Sequence, residues 1–321
     1  MPVIALLAPQ KTAARVFAEY HLERLGKLGV LIDARFSESV EEVIGRLAET
    51  EIIISTWGMP KADAEFLDKV PQLRAIFYAA GSIKQFVTPF LWKKGVVLSS
   101  AAPANAIPVA EYVFAVMLLS NKQFWTALRG NSGGLACGNY RRKVGIIGAS
   151  MVGRALIRLL KNTDLDILLY DPFIGKEEAG KLSVKNMELP VLMSESDIVS
   201  LHAPNLPHLR HMINAELLSI MKDGAVFVNT ARGALVDEEA LISQLRAGRI
   251  SAVLDVTDPE PPAVGSPLRT LPNVIYTPHI AGSMGEECYR MADFAIDEME
   301  RYLANKLLVN AIKQESLSYL A

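Results

Sequence analysis

KVGIIGASMVGRALIRLL, residues 143–160, reads as a strand, a tight turn and a helix. Gly148 and Gly153 occupy the first and third positions of the G-x-G-x-x-G dinucleotide fingerprint, with Ser150 at the second and Met151 and Val152 completing the frame. The first glycine permits the tight turn, and the last lets helix and strand pack closely. The middle one ordinarily lets backbone approach a pyrophosphate; serine is the next smallest polar choice, and its hydroxyl can donate to a phosphate oxygen. Val152, Leu156, Leu159 and Leu160 then share one face of the helix. The next strand, DILLYD, ends at Asp171, roughly 20 residues past the turn, where a carboxylate accepts hydrogen bonds from the adenosine ribose. That charge repels a 2′-phosphate, so NAD is expected over NADP. An ordinary glycine turn and a strand-end aspartate before Pro172 are the bland readings. The strand–turn–helix–strand context favours the nucleotide.

Outward from this stretch, short apolar runs alternate with helical patterns, the mark of parallel sheets built from βαβ units. Before it stand VIALLAP, EIIIST, LRAIFYAA and VVLSSA; after it come DIVSLHAP, AVFVNTA, SAVLDV and NVIYTPH. Ser39 with Glu42 three residues on is a capping-box signature opening an amphipathic stretch. Asp237 reads as a helix N-cap and Gly248 as that helix's stop. A long helix is expected from about Asn105 to Trp125, followed by a loop in the glycine-rich GNSGGLACGNY. Two doubly wound α/β domains are the resulting expectation, with the active site in the cleft between them.

At 321 residues the chain exceeds the usual size of one core. Its net charge of −2 gives no basic face for nucleic acid or an anionic membrane. A small acidic substrate must be gripped by a few placed cations. Two cysteines, Cys137 and Cys288, are too few for a disulfide framework or a metal cluster, and point to a reducing compartment, the cytoplasm. No metal is expected. The start, MPVIALLAPQK, lacks a basic n-region and reads as a first strand. The apolar stretch VAEYVFAVMLL is broken by Glu111 and is short for a membrane span.

Three strand ends carry the polar groups. Arg232 follows a strand in VNTARGALVDEEAL, Glu260 lies in the proline-rich DVTDPEPP, and His279 follows the last strand in TPHIAG. Ligands of open α/β sheets bind outside the carboxyl ends of the strands. A guanidinium grips a carboxylate bidentately, which would orient a 2-keto acid. A histidine exchanges the proton on the substrate oxygen, and a nearby carboxylate favours its imidazolium and fixes which ring nitrogen is protonated. Singly, each has a bland reading as a surface ion pair or a loop residue; in this order at strand ends they read jointly as catalytic.

NTARG, DPEPP and TPHIAG, in this order, resemble the triad of the D-isomer-specific 2-hydroxyacid dehydrogenase family, which includes phosphoglycerate, glyoxylate/hydroxypyruvate and D-lactate dehydrogenases. The resemblance covers nearly the whole chain and is strongest from Val144 to Gly282. It implies Arg232 for the substrate carboxylate, His279 as acid/base and Glu260 as its partner. It also implies that Asp255 holds the nicotinamide carboxamide, that Thr230, Ala231 and Gly282 line the same pocket, and that Ala203 and Pro204 of HAPNLP form the adenine-side wall. His202 would support that wall; His21, His208 and His211 are expected to be solvated.

The family resemblance further implies a substrate loop here formed by Ala79-Ala80-Gly81-Ser82-Ile83-Lys84, with Ala80, Gly81 and Ser82 touching substrate. Lys84 either adds a contact to a polar group or begins a helix and points to water. Trp57 is either a cleft wall or a packing tryptophan. Glu111, amid apolar residues, is expected to be almost buried and therefore partnered in a salt bridge or subunit contact, and Phe124 and Trp125 are expected in a homodimer interface. A flavodoxin-like substrate domain over 1–102 and 290–321 would carry a Rossmann NAD-binding domain, 103–289, inserted in it. The reaction expected is hydride transfer between NAD(H) and a small 2-hydroxy or 2-keto acid; the alternative is an NAD(H)-sensing, corepressor-like binding protein with little turnover.

Overall fold

In the computed structural model of the chain, residues 1–130 and 138–318 are described. The glycine-rich loop read in GNSGGLACGNY lies largely outside the described residues. The strands are β1 (Val3–Pro9), β2 (Val30–Phe36), β3 (Ile52–Ser55), β4 (Ala75–Tyr78), β5 (Val97–Ser100), β6 (Lys143–Ile147), β7 (Asp166–Tyr170), β8 (Lys185–Asn186), β9 (Ile198–Leu201), β10 (Val226–Asn229), β11 (Ser251–Leu254), β12 (Val274–Tyr276) and β13 (Ala311–Ile312).

The chain divides into two compact units, Met1–Asn105 with Ser283–Leu320, and Ala106–Gly282. The units thus part at 105/106 and 282/283, a few residues from the 102/103 and 289/290 expected.

In the first unit the sheet order is β13-β5-β4-β3-β1-β2, every pair parallel except β13 against β5. Its parallel part, 2-1-3-4-5, is the flavodoxin-like order, with the switch point between β1 and β3. Central strands of such sheets are covered on both faces, and β3 and β4 are buried throughout. Leu7, Ile53 and Ile76 enter one core layer; Leu6, Ile54 and Phe77 enter the other, against Met291, Ile296 and Met299 of the Glu287–Leu303 helix. The LLVNAI end supplies β13. Glu298, 1% exposed, ties it down, its carboxylate accepting from Val309 N–H (2.8 Å), Asn310 N–H (2.9 Å) and Ser99 Oγ (2.9 Å).

The second unit's sheet runs β12-β11-β10-β9-β6-β7-β8, all parallel. Counted within the unit, this is the doubly wound Rossmann order with one strand added, and its switch point lies between β6 and β9. One core layer gathers Phe227, Leu254 and Ile213, the other Ile146, Leu156 and Val228.

Several local expectations change. β2 and the two-residue strands β8 and β13 carry no apolar run long enough to announce them. The Ser39–Glu42 capping box is present, but it opens a 3-10 turn rather than an amphipathic helix. The long helix spans Ala102–Asn121, and a separate Phe124–Leu128 helix follows. By length and composition it is apolar enough to cross a membrane; Val113 and Met117, both 0% exposed, pack it into the second unit's core. Glu111 is exposed rather than buried, because it lies off the face that carries Val113 and Met117. His21 is the opposite case, expected solvated and found at 0% exposure. Its ring stacks 3.9 Å from that of Tyr20, Nδ1 accepts from Ala18 N–H at 2.9 Å, and Nε2 faces Asp293 at 3.3 Å. Burial pushes its pKa below the usual histidine value, with Asp293 opposing.

Candidate active site

The turn after β6 is built by two glycines with different tasks. Gly148 has φ +98°, and a Cβ there would come within 2.9 Å of the His202 carbonyl. Gly153 touches the Gly148 carbonyl so closely that any Cβ would overlap it. Ser150 stands at φ −63°, ψ 178°, where any residue is comfortable, so the missing middle glycine costs no backbone strain. Its Oγ accepts from Gly153 N–H at 3.3 Å and thereby caps the Met151–Leu160 helix. As the cap uses only lone pairs, the hydroxyl proton remains for a phosphate oxygen. The helix N-terminus adds unpaired N–H groups and a positive dipole end at the same place.

Asp171 follows β7 and folds back on this turn. Oδ2 accepts from Ala149 N–H at 2.7 Å, and Oδ1 from Phe173 N–H at 2.8 Å. The contact of Gly148 with His202 and Ala203 backbone brings the HAP segment beside the turn. His202 is itself buried, its Nε2 2.9 Å from Ser200 Oγ, and burial pushes its pKa down to about 3. A neutral imidazole there is a packing element; Ala203 is buried and Pro204 half-buried.

At the end of β10 the Asn229-Thr-Ala-Arg-Gly turn is held by a residue the sequence reading passed over. Asn229, 1% exposed, accepts from Ala231 N–H at 3.0 Å and donates to the Arg232 carbonyl at 3.0 Å. Arg232 Nη1 donates to the Ala231 carbonyl at 2.6 Å. Burial pushes the guanidinium below its ordinary pKa, and the charge of Glu260 offsets part of that. The remaining donors of the fork are those a carboxylate would engage bidentately. The Thr230 hydroxyl is buried without a hydrogen-bond partner. With the two-glycine cradle, it is the feature of this unit that fits a bound dinucleotide, since an orphaned buried hydroxyl costs about 1–3 kcal/mol unless a ligand satisfies it.

Gly233 was also missed. A Cβ on it would overlap the Thr257 carbonyl, so only glycine lets the Arg232 turn meet the loop that carries Glu260. The signal was present as a glycine directly after a strand-end arginine, a place where close backbone approach is a reason for glycine. Glu260 Oε1 then lies 2.6 Å from His279 Nδ1, with side chains 36% and 50% exposed. Both are open to a ligand.

His279 adopts φ +56°, a left-handed conformation uncommon for residues with a Cβ. Asp255 holds it there. The Asp255 carbonyl accepts His279 N–H at 3.0 Å, and its carboxylate, 1% exposed, accepts from Ile280 N–H (2.8 Å), Ala281 N–H (2.9 Å) and Thr277 Oγ (2.6 Å). The structure thus gives Asp255 an architectural task in the turn.

In the first unit, Ala79 and Ala80 are buried, Gly81 and Ser82 half-buried, and Lys84 is exposed in a turn rather than at a helix start. Thr56 Oγ donates to the Ala79 carbonyl at 2.9 Å and sets the start of this loop. It leaves β4 at the carboxyl edge of its sheet. Trp57 packs on both core layers of that unit, with the Arg15 guanidinium 5.7 Å from its ring centroid, which is the packing role. Among the described residues no group of three or more His, Cys, Asp or Glu is placed to hold a metal.

The family profile described as D-isomer specific 2-hydroxyacid dehydrogenase, NAD binding domain, matches residues 120–281. D-3-phosphoglycerate dehydrogenase of Archaeoglobus fulgidus is 31% identical over 285 residues, 85% of this chain and 53% of that protein. The chain therefore spans about half the length of such relatives. Glyoxylate/hydroxypyruvate reductase B of Pectobacterium atrosepticum is 32% identical over 283 residues, 84% of this chain and 88% of that protein. Among solved structures, an acyclic imino acid reductase in complex with NADPH and D-Arg aligns at TM-score 0.77 and 26% identity, covering 97% of this chain and 100% of that one.

Proposed function

Because the chain belongs to the D-isomer specific 2-hydroxyacid dehydrogenase family, we propose that it transfers a hydride between NAD(H) and a small 2-hydroxy or 2-keto acid. The observation that carries this reading is the 2.6 Å contact of His279 Nδ1 with Glu260, beside an arginine with unspent donors. Nicotinamide, when bound, supplies or takes up the hydride. Arg232 grips the carboxylate next to the reacting carbon and orients it. With Nδ1 engaged by Glu260, Nε2 of His279 is the nitrogen that gives a proton to the substrate oxygen in reduction and removes it in oxidation. Gly148, Ser150, Met151, Val152 and Gly153 take the pyrophosphate, and Thr230, Ala231, Asp255 and Gly282 the nicotinamide side, with Ala203 and Pro204 toward adenine. Ala80, Gly81 and Ser82, at the carboxyl edge of the first unit's sheet, contact the substrate.

Asp171 supports NAD over NADP, since a 2′-phosphate would meet its carboxylate. A homodimer fits the exposed Phe124 and Leu128, 38% and 67% accessible. The two-cysteine composition supports the cytoplasm. The test is NADH oxidation with glyoxylate, hydroxypyruvate, pyruvate, phenylpyruvate and phosphohydroxypyruvate, with His279→Gln as control. Turnover of at least one keto acid, lost in the variant, is the expected result. Tight NADH binding with no turnover on any of them would transfer the assignment to cofactor sensing.

A further inference from the structure

One side chain of the second unit has no place in the scheme above. Tyr112, half-buried on the Ala102–Asn121 helix, directs its hydroxyl to Thr277 Oγ at 2.8 Å. Thr277 lies two residues before His279, and its Oγ stands 2.6 Å from Asp255 Oδ1. A carboxylate only accepts, so the threonine proton points to Asp255. The phenol must then donate to Thr277, and the chain of bonds has one direction, Tyr112 to Thr277 to Asp255. Burial pushes the Tyr112 phenol above its usual pKa, which keeps it a donor at neutral pH.

The end of this chain is the turn that presents the imidazole. Asp255 binds His279 N–H through its carbonyl and Ile280 and Ala281 N–H through its carboxylate. Each bond opposes relaxation of the left-handed His279, a strained conformation that persists only where its surroundings over-determine it. A buried carboxylate depends on each of its donors, and linked hydrogen bonds polarise one another. Rotation of Asp255 would release two N–H groups of the turn together.

We propose that Tyr112 and Thr277 are positioning residues for the hydride-transfer reaction, acting through Asp255 to hold the His279 turn against Glu260. The proposal rests on the assignment of His279 as acid/base, and its test has an arm that does not.

The variants are Thr277→Val, Thr277→Ser and Tyr112→Phe. The first arm is the nitrogen NMR of the His279 imidazole in 15N-histidine-labelled protein without cofactor, assigned with His279→Gln and followed through pH. The Nδ1 signal of the wild type should carry the signature of its bond to Glu260. Thr277→Val should shift that signal and its titration midpoint, Tyr112→Phe should shift them less, and Thr277→Ser should restore both. The second arm is steady-state reduction of the best keto acid. A displacement of the imidazole costs kcat up to about 100-fold, so Thr277→Val should lower kcat while the keto-acid KM stays near wild type. Wild-type imidazole signals and titration in Thr277→Val overturn the proposal. Should that variant fail to fold, wild-type signals and kcat in Tyr112→Phe, which keeps the ring packing, overturn it equally. A wild type that reduces no keto acid sinks the assigned reaction, while the imidazole signals still decide the positioning role.

Discussion

Gly233 abuts Thr257 so tightly that a methyl group on it would overlap the threonine carbonyl. Arg232 follows β10 and Glu260 follows β11, neighbouring parallel strands. Without the Gly233 contact the two loops would stand apart by at least a side chain. Gly233→Ala should therefore do two things at once. Overpacking costs typically 1–3 kcal/mol, visible as a lower urea midpoint, and the separated loops should raise the keto-acid KM.

Proton transfer by a placed side chain contributes roughly 10²–10⁴-fold. His279→Gln should lower kcat by about that factor and leave the dissociation constant for NADH, read by fluorescence titration, near wild type. Glu260→Gln keeps the shape but removes the charge. Its loss should be smaller and should move the pH–rate profile, which His279→Gln abolishes.

Arg232→Lys retains a cation but not the planar fork. A lost charge-assisted hydrogen bond is worth about 1.5–3 kcal/mol. kcat/KM for the keto acid should fall roughly 10–150-fold, each 1.4 kcal/mol being tenfold. An unchanged value would remove Arg232 from the substrate carboxylate.

Asp171→Ala removes the carboxylate expected at the ribose and should shift the NADPH/NADH ratio of kcat/KM toward NADPH by at least about tenfold, roughly 1.4 kcal/mol. Because Asp171 also accepts from Ala149 N–H, NADH should bind more weakly in the same variant. An unaltered ratio would show that the carboxylate does not choose the cofactor.

His202 supplies an acid-sensitive element of stability. Its folded pKa, about 3, lies below the unfolded value of about 6.5. Between those values the unfolded chain binds the proton and the folded one does not, so stability falls as pH drops below about 6.5. At pH 5 that is worth about 2 kcal/mol for this one ring. His21, also shifted down by burial, works in the same direction. Urea unfolding at pH 7 and pH 5 should show the loss, and His202→Gln should remove about 2 kcal/mol of it.

The features legible in the sequence are those whose cause is local. A glycine that must take φ +98°, an aspartate closing a strand, and apolar runs alternating with helical patterns are written within a few residues of where they act. The order of Arg232, Glu260 and His279 at strand ends was legible for the same reason, since a parallel sheet puts all its carboxyl ends on one edge. Burial of single residues was not. Glu111 sits among apolar letters yet faces outward, and His21 reads as a surface histidine yet is wrapped by Tyr20, Tyr289 and Asp293.

What only the tertiary structure decided are contacts whose partners lie far apart along the chain. Gly233 against Thr257 and Tyr112 reaching Thr277 across 165 residues follow from how helices and loops settle on the sheet. Ser150 shows the difference in one position. The sequence marks it as a departure from the three-glycine pattern, while the fold places it at φ −63° as a helix cap. Whether a side chain fits is set by backbone angle and by what packs opposite, and neither is a property of the residues beside it.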